Sequence, residues 1–105
     1  MEKIDVIAQF EQLIKEKEAF FLLKHSITCP ISAAAFDEYE AFLNEETNQT
    51  GYYLAVQDSR ELSNYIAETA GIRHQSPQVI FFKEGKPKWD ESHWKITKSN
   101  LAAIR

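Results

Sequence analysis

Cysteine is the scarcest chemistry in this chain, with a single thiol, Cys29, among 105 residues. One thiol excludes an internal disulfide, a four-cysteine zinc site and any redox cycle that needs two thiols in one chain. Glycine and proline are few, three of each, and unclustered. That excludes a low-complexity linker. Positive charge is not in excess: 12 lysines and arginines stand against 16 aspartates and glutamates, a net charge of −4. This argues against nucleic acid as a partner. Long apolar runs are also missing. The longest, Ala19–Leu23, falls far short of the roughly 20 residues that span a bilayer. Met1–Asp5 leads directly into a charged, amphipathic segment, so no secretion signal and no membrane partner are expected. The cytoplasm, where thiols stay reduced, is the expected location.

What is present reads as one α/β domain over residues 1–105, in the order α-β-α-β-α-β-β-α. Val6, Phe10, Leu13 and Ile14 share one helix face, with Asp5 as the N-cap. Ala19–Leu23 is apolar on both sides, as a central strand covered on two faces must be. Cys29-Pro30 opens the next helix, since proline suits the first helical position. Ala35, Phe36, Tyr39, Phe42 and Leu43 form its buried stripe. Tyr52–Val56 is a second strand. Asp58 or Ser59 caps a third helix with Leu62, Ile66 and Ala70 inward, closed by Gly71. Gln78–Phe82 is the third strand, and Glu84-Gly85 is a hairpin turn. Lys86–Trp89 is the fourth and belongs at an edge, because it contains Pro87. Thr97 caps a last helix carrying Leu101 and Ile104. Trp89 and Trp94 read as edge and core packing. Helices on both faces of a four-stranded sheet make a sandwich.

Cys29 is the residue on which chemistry can turn. It follows a buried strand and stands at the start of a helix, and the carboxyl end of a central strand is a usual place for a site. The partial positive charge and unpaired N–H groups of a helix N-terminus favour thiolate over thiol. Lys24 and His25 add positive potential nearby in sequence. Ser32 stands where a Cys-x-x-Cys motif would hold its second thiol. A hydroxyl there can hydrogen-bond a thiolate but cannot form a disulfide. Two other cysteine chemistries fail on spacing. A phosphatase loop needs arginine at position 35, which is Ala35. A peroxiredoxin site needs proline and threonine at positions 22 and 26, which are Leu22 and Ser26. His25, His74 and His93 form no short metal-binding motif, so no metal is expected. Ser76-Pro77 before an apolar strand fits an ordinary trans proline on sequence grounds alone.

Thr28-Cys29-Pro30-Ile31-Ser32 after a buried strand, with Gly71-Ile72-Arg73-His74-Gln75-Ser76-Pro77 running into Val79-Ile80-Phe81-Phe82, resembles the thioredoxin-fold superfamily. Lys24-His25-Ser26, Leu62-Ser63-Asn64 and Ser92-His93-Trp94-Lys95-Ile96-Thr97 narrow the resemblance to the monothiol bacilliredoxins (bacilliredoxin C, or YtxJ-like proteins). It covers essentially the whole chain.

The resemblance implies a thioredoxin-like three-layer sandwich with a central mixed sheet and room for a short extra N-terminal strand. It implies that the third and fourth strands run antiparallel to the first two, and that Pro77 is cis and faces Cys29. It implies catalysis by Cys29, with Pro30 and Ser32 in support. The main chain of Ser76 would pair with an extended substrate, beside Pro77 and Thr28. The co-substrate would be bacillithiol, a thiol bearing glucosamine and malate, with no tightly bound cofactor. Lys24, Arg73 and His74 are the candidate partners for its carboxylates, with His25 also in the substrate-binding set. S-bacillithiolated cytosolic proteins would be the substrates, a bacillithiol disulfide reductase would act downstream, and the chain would work as a monomer. The buried acid that dithiol thioredoxins carry six residues before the nucleophile is replaced by Leu23. Two other readings stay open on the sequence: a non-catalytic interaction protein whose Cys29 is merely modified, and an iron–sulfur carrier. The carrier lacks its expected Cys-Gly-Phe-Ser motif.

Overall fold

The computed structural model describes residues 1–104. Its order is β1 (Glu2–Lys3), α1 (Ile7–Glu16), β2 (Ala19–His25), α2 (Pro30–Glu45), β3 (Gly51–Ala55), α3 (Arg60–Ala70), β4 (Gln78–Lys83), β5 (Lys86–Ser92), a 3₁₀ turn (His93–Lys95) and α4 (Lys98–Ala102). The strands form one five-stranded sheet in the order β1-β3-β2-β4-β5. The extra N-terminal strand is therefore present, two residues long and parallel to β3.

β2 lies at the centre, parallel to β3 and antiparallel to β4. Successive side chains of a strand point to opposite faces, and β2 divides its residues accordingly. Phe20 and Leu22 enter one core with Phe10 of α1 and with Leu62 and Ile66 of α3. Phe21 and Leu23 enter a second core with Ala35, Tyr39 and Phe42 of α2 and Leu101 of α4. This gives three layers, with β2 covered on both faces. The expected continuous apolar run has this cause.

Four expectations are corrected. The first helix is capped at Val6, not Asp5. Gln9 reaches back one turn, and its Oε1 accepts from both the Asp5 and Val6 N–H groups. Those donors are thereby satisfied without an Asp5 side-chain cap. β5 does not run antiparallel to β2. It is antiparallel to β4, because the Glu84-Gly85 turn reverses the chain, so β5 returns in the direction of β2. Trp94 is not in the core but 69% exposed. β5 also extends to Ser92, beyond the expected Trp89. In the turn itself both Glu84 and Gly85 take positive φ, 54° and 76°, as a tight hairpin between twisted strands requires.

Gly51 starts β3 by necessity of space. A Cβ there would stand 2.3 Å from Leu43 Cδ1 and 2.8 Å from the Tyr39 hydroxyl oxygen. Tyr39, fully buried on α2, donates that hydroxyl to Tyr52 O at 2.9 Å. The bond ties the middle of α2 to β3. No helix among the described residues is long and apolar enough to cross a membrane.

Candidate active site

The period-two alternation of β2 continues past its apolar stretch and sets up the site. Lys24 follows Leu22 to the α3 face, and His25 follows Leu23 to the α2 face. The chain then crosses Ser26–Thr28 and reaches Cys29, the N-cap of α2, whose carbonyl accepts from Ala33 N at 3.1 Å. Pro30 occupies the first turn. Cys29 is half-buried, while Thr28 and Pro30 are exposed.

The loop before Cys29 is held from two sides. Ser32, fully buried, accepts from Ser26 N at 2.7 Å, and its Oγ lies 3.2 Å from His25 Nδ1. The Ser32 hydroxyl thereby staples the loop to the first turn of α2. His25 packs on Phe36, ring centroids 4.9 Å apart. Burial lowers its pKa from 6.5, against the opposing effect of the Ser32 contact. From the other side comes Gln57, in the turn between β3 and α3. It bonds Ser26, Ile27 and Thr28. No local pattern marks Gln57, because its partners lie about 30 residues away in sequence.

On the opposite face Lys24 is corrected from a surface cation to a fully buried one. Its Nζ donates to Ser63 O at 3.0 Å and lies 3.2 Å from His74 Nδ1. Ser63 Oγ meets the same nitrogen at 3.2 Å. Burial lowers the lysine from 10.5 to about 8. The His74 pKa is also lowered, first by burial and then by the positive charges of Lys24 and Arg60. With its ammonium engaged inside, Lys24 cannot reach a carboxylate on the surface. What it does is anchor the loop that carries His74.

That loop ends in a cis peptide bond between Ser76 and Pro77, as the resemblance implies and as sequence statistics alone do not. Gln78 Nε2 donates to Arg73 O at 3.1 Å, and His93 N donates to Pro77 O at 3.0 Å. Arg73 and His74 are exposed overall, and Ser76 is half-buried. The 3₁₀ turn with exposed Trp94 is thus bound to the proline loop through one backbone bond. The sequence-derived candidates fall into two groups. His25, Thr28, Cys29, Pro30 and Ser32 gather around the start of α2. Lys24, Arg73, His74, Ser76 and Pro77 gather around the proline loop.

A half-exposed thiol at a helix start, with no second thiol in the chain, is chemically equipped for exchange with an outside disulfide and for nothing that needs internal closure. Comparison with known proteins agrees. Residues 2–101 match the family model described as monothiol bacilliredoxin BrxC. The chain belongs to the monothiol bacilliredoxin family. A solved structure titled as a candidate oxidoreductase with a thioredoxin fold is 48% identical, with a TM-score of 0.92, covering 96% of this chain and 89% of that one. Fasciola hepatica thioredoxin is 19% identical with a TM-score of 0.78, covering 98% and 94%. Plasmodium falciparum thioredoxin is 14% identical with a TM-score of 0.81, covering 99% and 95%. The last two likenesses concern the fold alone. Membership of a bacilliredoxin family on a thioredoxin fold makes the chain a thiol oxidoreductase, with Cys29 as its sole thiol.

Proposed function

We propose that Cys29 removes bacillithiol from mixed disulfides on other proteins in the cytoplasm. The Cys29 thiolate attacks the bacillithiol sulfur of the mixed disulfide. The protein sulfur leaves with the electron pair of the broken S–S bond and takes a proton from solvent. Cys29 is left joined to bacillithiol. A second bacillithiol thiolate then attacks the bacillithiol sulfur of that adduct, which forms bacillithiol disulfide and returns the Cys29 thiolate. A separate reductase restores the pool. The partial positive charge at the α2 N-terminus stabilises the thiolate in both steps.

The observation that carries this reading is the solitary Cys29 at the α2 N-cap in a family of monothiol bacilliredoxins. Ser32 cannot supply a resolving thiol, so an outside thiol must close the cycle. Charge favours one side for the bound co-substrate. The proline loop presents the charge of Arg73, and Arg60 lies close enough to depress the pKa of His74. The cleft on the other side, lined by Ile27, Phe36 and Tyr53, carries Asp37, which repels malate carboxylates, and Asp58, which is paired with Lys3 at 3.1 Å. The main chain of Ser76 would pair with the extended substrate, and the chain acts as a monomer with no tightly bound cofactor. The test incubates the chain with oxidised bacillithiol or oxidised glutathione and weighs it intact. A bacillithiol adduct is expected on the wild type and none on Cys29→Ser. No adduct, or a preference for glutathione, rejects the reading.

A further inference from the structure

Ser26, Ile27 and Thr28 form the approach to Cys29, and one side chain from outside the loop grips all three. Gln57 Oε1 accepts from Ile27 N at 3.1 Å. Its Nε2 donates to Ser26 Oγ at 2.8 Å and to Thr28 Oγ1 at 3.2 Å. The orientation of the amide follows from its partners. A backbone N–H can only donate, so Oε1 must face Ile27, and Nε2 must then face the two hydroxyls.

Two consequences follow. The loop is tied to the end of β3, which extends the backbone bond from Val56 N to His25 O at 2.8 Å. Both hydroxyls also act as acceptors toward Gln57, so each keeps its own proton to give. Ser26 is buried, whereas Thr28 is exposed and directly precedes Cys29. The charged groups around this loop are His25 at the end of β2, Asp37 on α2, and Asp58 paired with Lys3 at 3.1 Å. Gln57 directs all three of its bonds to the loop instead.

We propose that Gln57 is a positioning residue for thiol exchange at Cys29: it fixes the 26–28 loop and with it the place of the sulfur at the N-terminus of α2. The proposal rests on thiol exchange as the activity and not on the identity of the outside thiol. A loop already held in place needs no reorganisation when the S–S bond breaks. Asn is too short to span three partners. Glu would hold Ile27 N but draw the hydroxyl protons of Ser26 and Thr28 onto itself.

The test is iodoacetamide alkylation of the reduced full chain, followed by intact mass between about pH 6 and about pH 10, since a one-unit change in acidity is a tenfold change in thiolate below the midpoint. The expected result is that Q57A slows alkylation about tenfold at the acid end, and that T28V slows it by a smaller factor. T28S, which keeps the hydroxyl, should follow the wild type. All four should converge at the alkaline end, where the thiol is ionised regardless. Profiles of Q57A and T28V that overlie the wild type overturn the proposal. So does an equal slowing at every pH, which marks a general defect in access or folding. If Q57A does not fold, the T28V and T28S pair decides, because Thr28 is exposed. Bacillithiol takes no part in this assay. A missing bacillithiol adduct beside altered profiles therefore counts against the proposed substrate and not against Gln57.

Discussion

Lys24 Nζ and His74 Nδ1 meet at 3.2 Å on the α3 side of the sheet, an ammonium against an imidazole. The lysine belongs to the central strand and the histidine to the proline loop. Burial brings the folded lysine to about 8 from 10.5. Between those values the unfolded chain binds more protons than the folded one, so stability rises with pH across that window. Below about pH 8 the charged lysine opposes folding by something on the order of 3 kcal/mol, relieved as pH climbs toward 10.5. Lys24→Met has no such titration. Urea unfolding at about pH 7 and about pH 10 should show the stability difference shifting in favour of the wild type at the higher value. A difference that does not change with pH would mean that the buried lysine keeps ordinary proton affinity.

His74 sets the acid side of the same contact. Its folded pKa lies below 6.5, chiefly through burial, with Lys24 and Arg60 adding to it. As pH falls below 6.5 the unfolded chain takes up a proton that the folded loop resists, so stability is lost from there down through the folded value. His74→Gln should flatten part of that loss in unfolding curves recorded between about pH 7 and about pH 5. Part of the slope must survive, because His25 is lowered as well. A slope identical to the wild type would show that His74 does not titrate against its neighbours.

Much of the frame was legible because its cause is local. The two-sided apolar run of β2, the proline at the start of α2 and the Glu84-Gly85 turn are each written in a few adjacent residues. The corrections have causes that no short window holds. Lys24 looks like the exit of a strand into solvent, since charged residues are seldom fully buried. It is buried because Ser63 and His74, 39 and 50 residues away, receive its protons. Gln57 is an unremarked loop amide until the fold places it over Ser26–Thr28. The partners of Ser32 are not readable from the sequence, because spacing along a helix tells which residue is near Cys29 and not that its hydroxyl accepts from Ser26 N. The direction of β5 required only that the hairpin be followed through.

Ser32 also offers a way to change the class of the protein. It is fully buried one helical turn after Cys29, where a dithiol relative would carry its second thiol. Ser32→Cys should let the chain resolve its own adduct. Intact mass after treatment with oxidised bacillithiol should then show a species lighter than the reduced variant by two hydrogens, in place of a lasting adduct. Some stability should be lost, about 1–3 kcal/mol, because the Ser26 N–H exchanges a good acceptor for a weak one. A bacillithiol adduct as durable as that of the wild type would mean that the buried position cannot reach the sulfur of Cys29.

Charge placement around the two loops predicts where the co-substrate lies. Arg73 is exposed, and its backbone is fixed by Gln78, so its guanidinium projects from a defined point on the proline loop. A charge-assisted hydrogen bond from it to a carboxylate is worth about 1.5–3 kcal/mol. Arg73→Glu removes that bond and adds repulsion, so kcat/KM for a bacillithiolated protein should fall at least about tenfold, most of it in KM. Arg73→Lys keeps the charge but loses the bidentate fork, and should fall between the two. The aspartates of the opposite cleft give the counter-experiment. Asp37→Asn removes repulsion from a side that malate does not use, so it should leave the rate within about twofold of the wild type, on the usual scale for exposed charges. If Arg73→Glu changes nothing and Asp37→Asn accelerates the reaction, the co-substrate lies in the α2 cleft, and the assignment of the basic proline loop to malate is wrong.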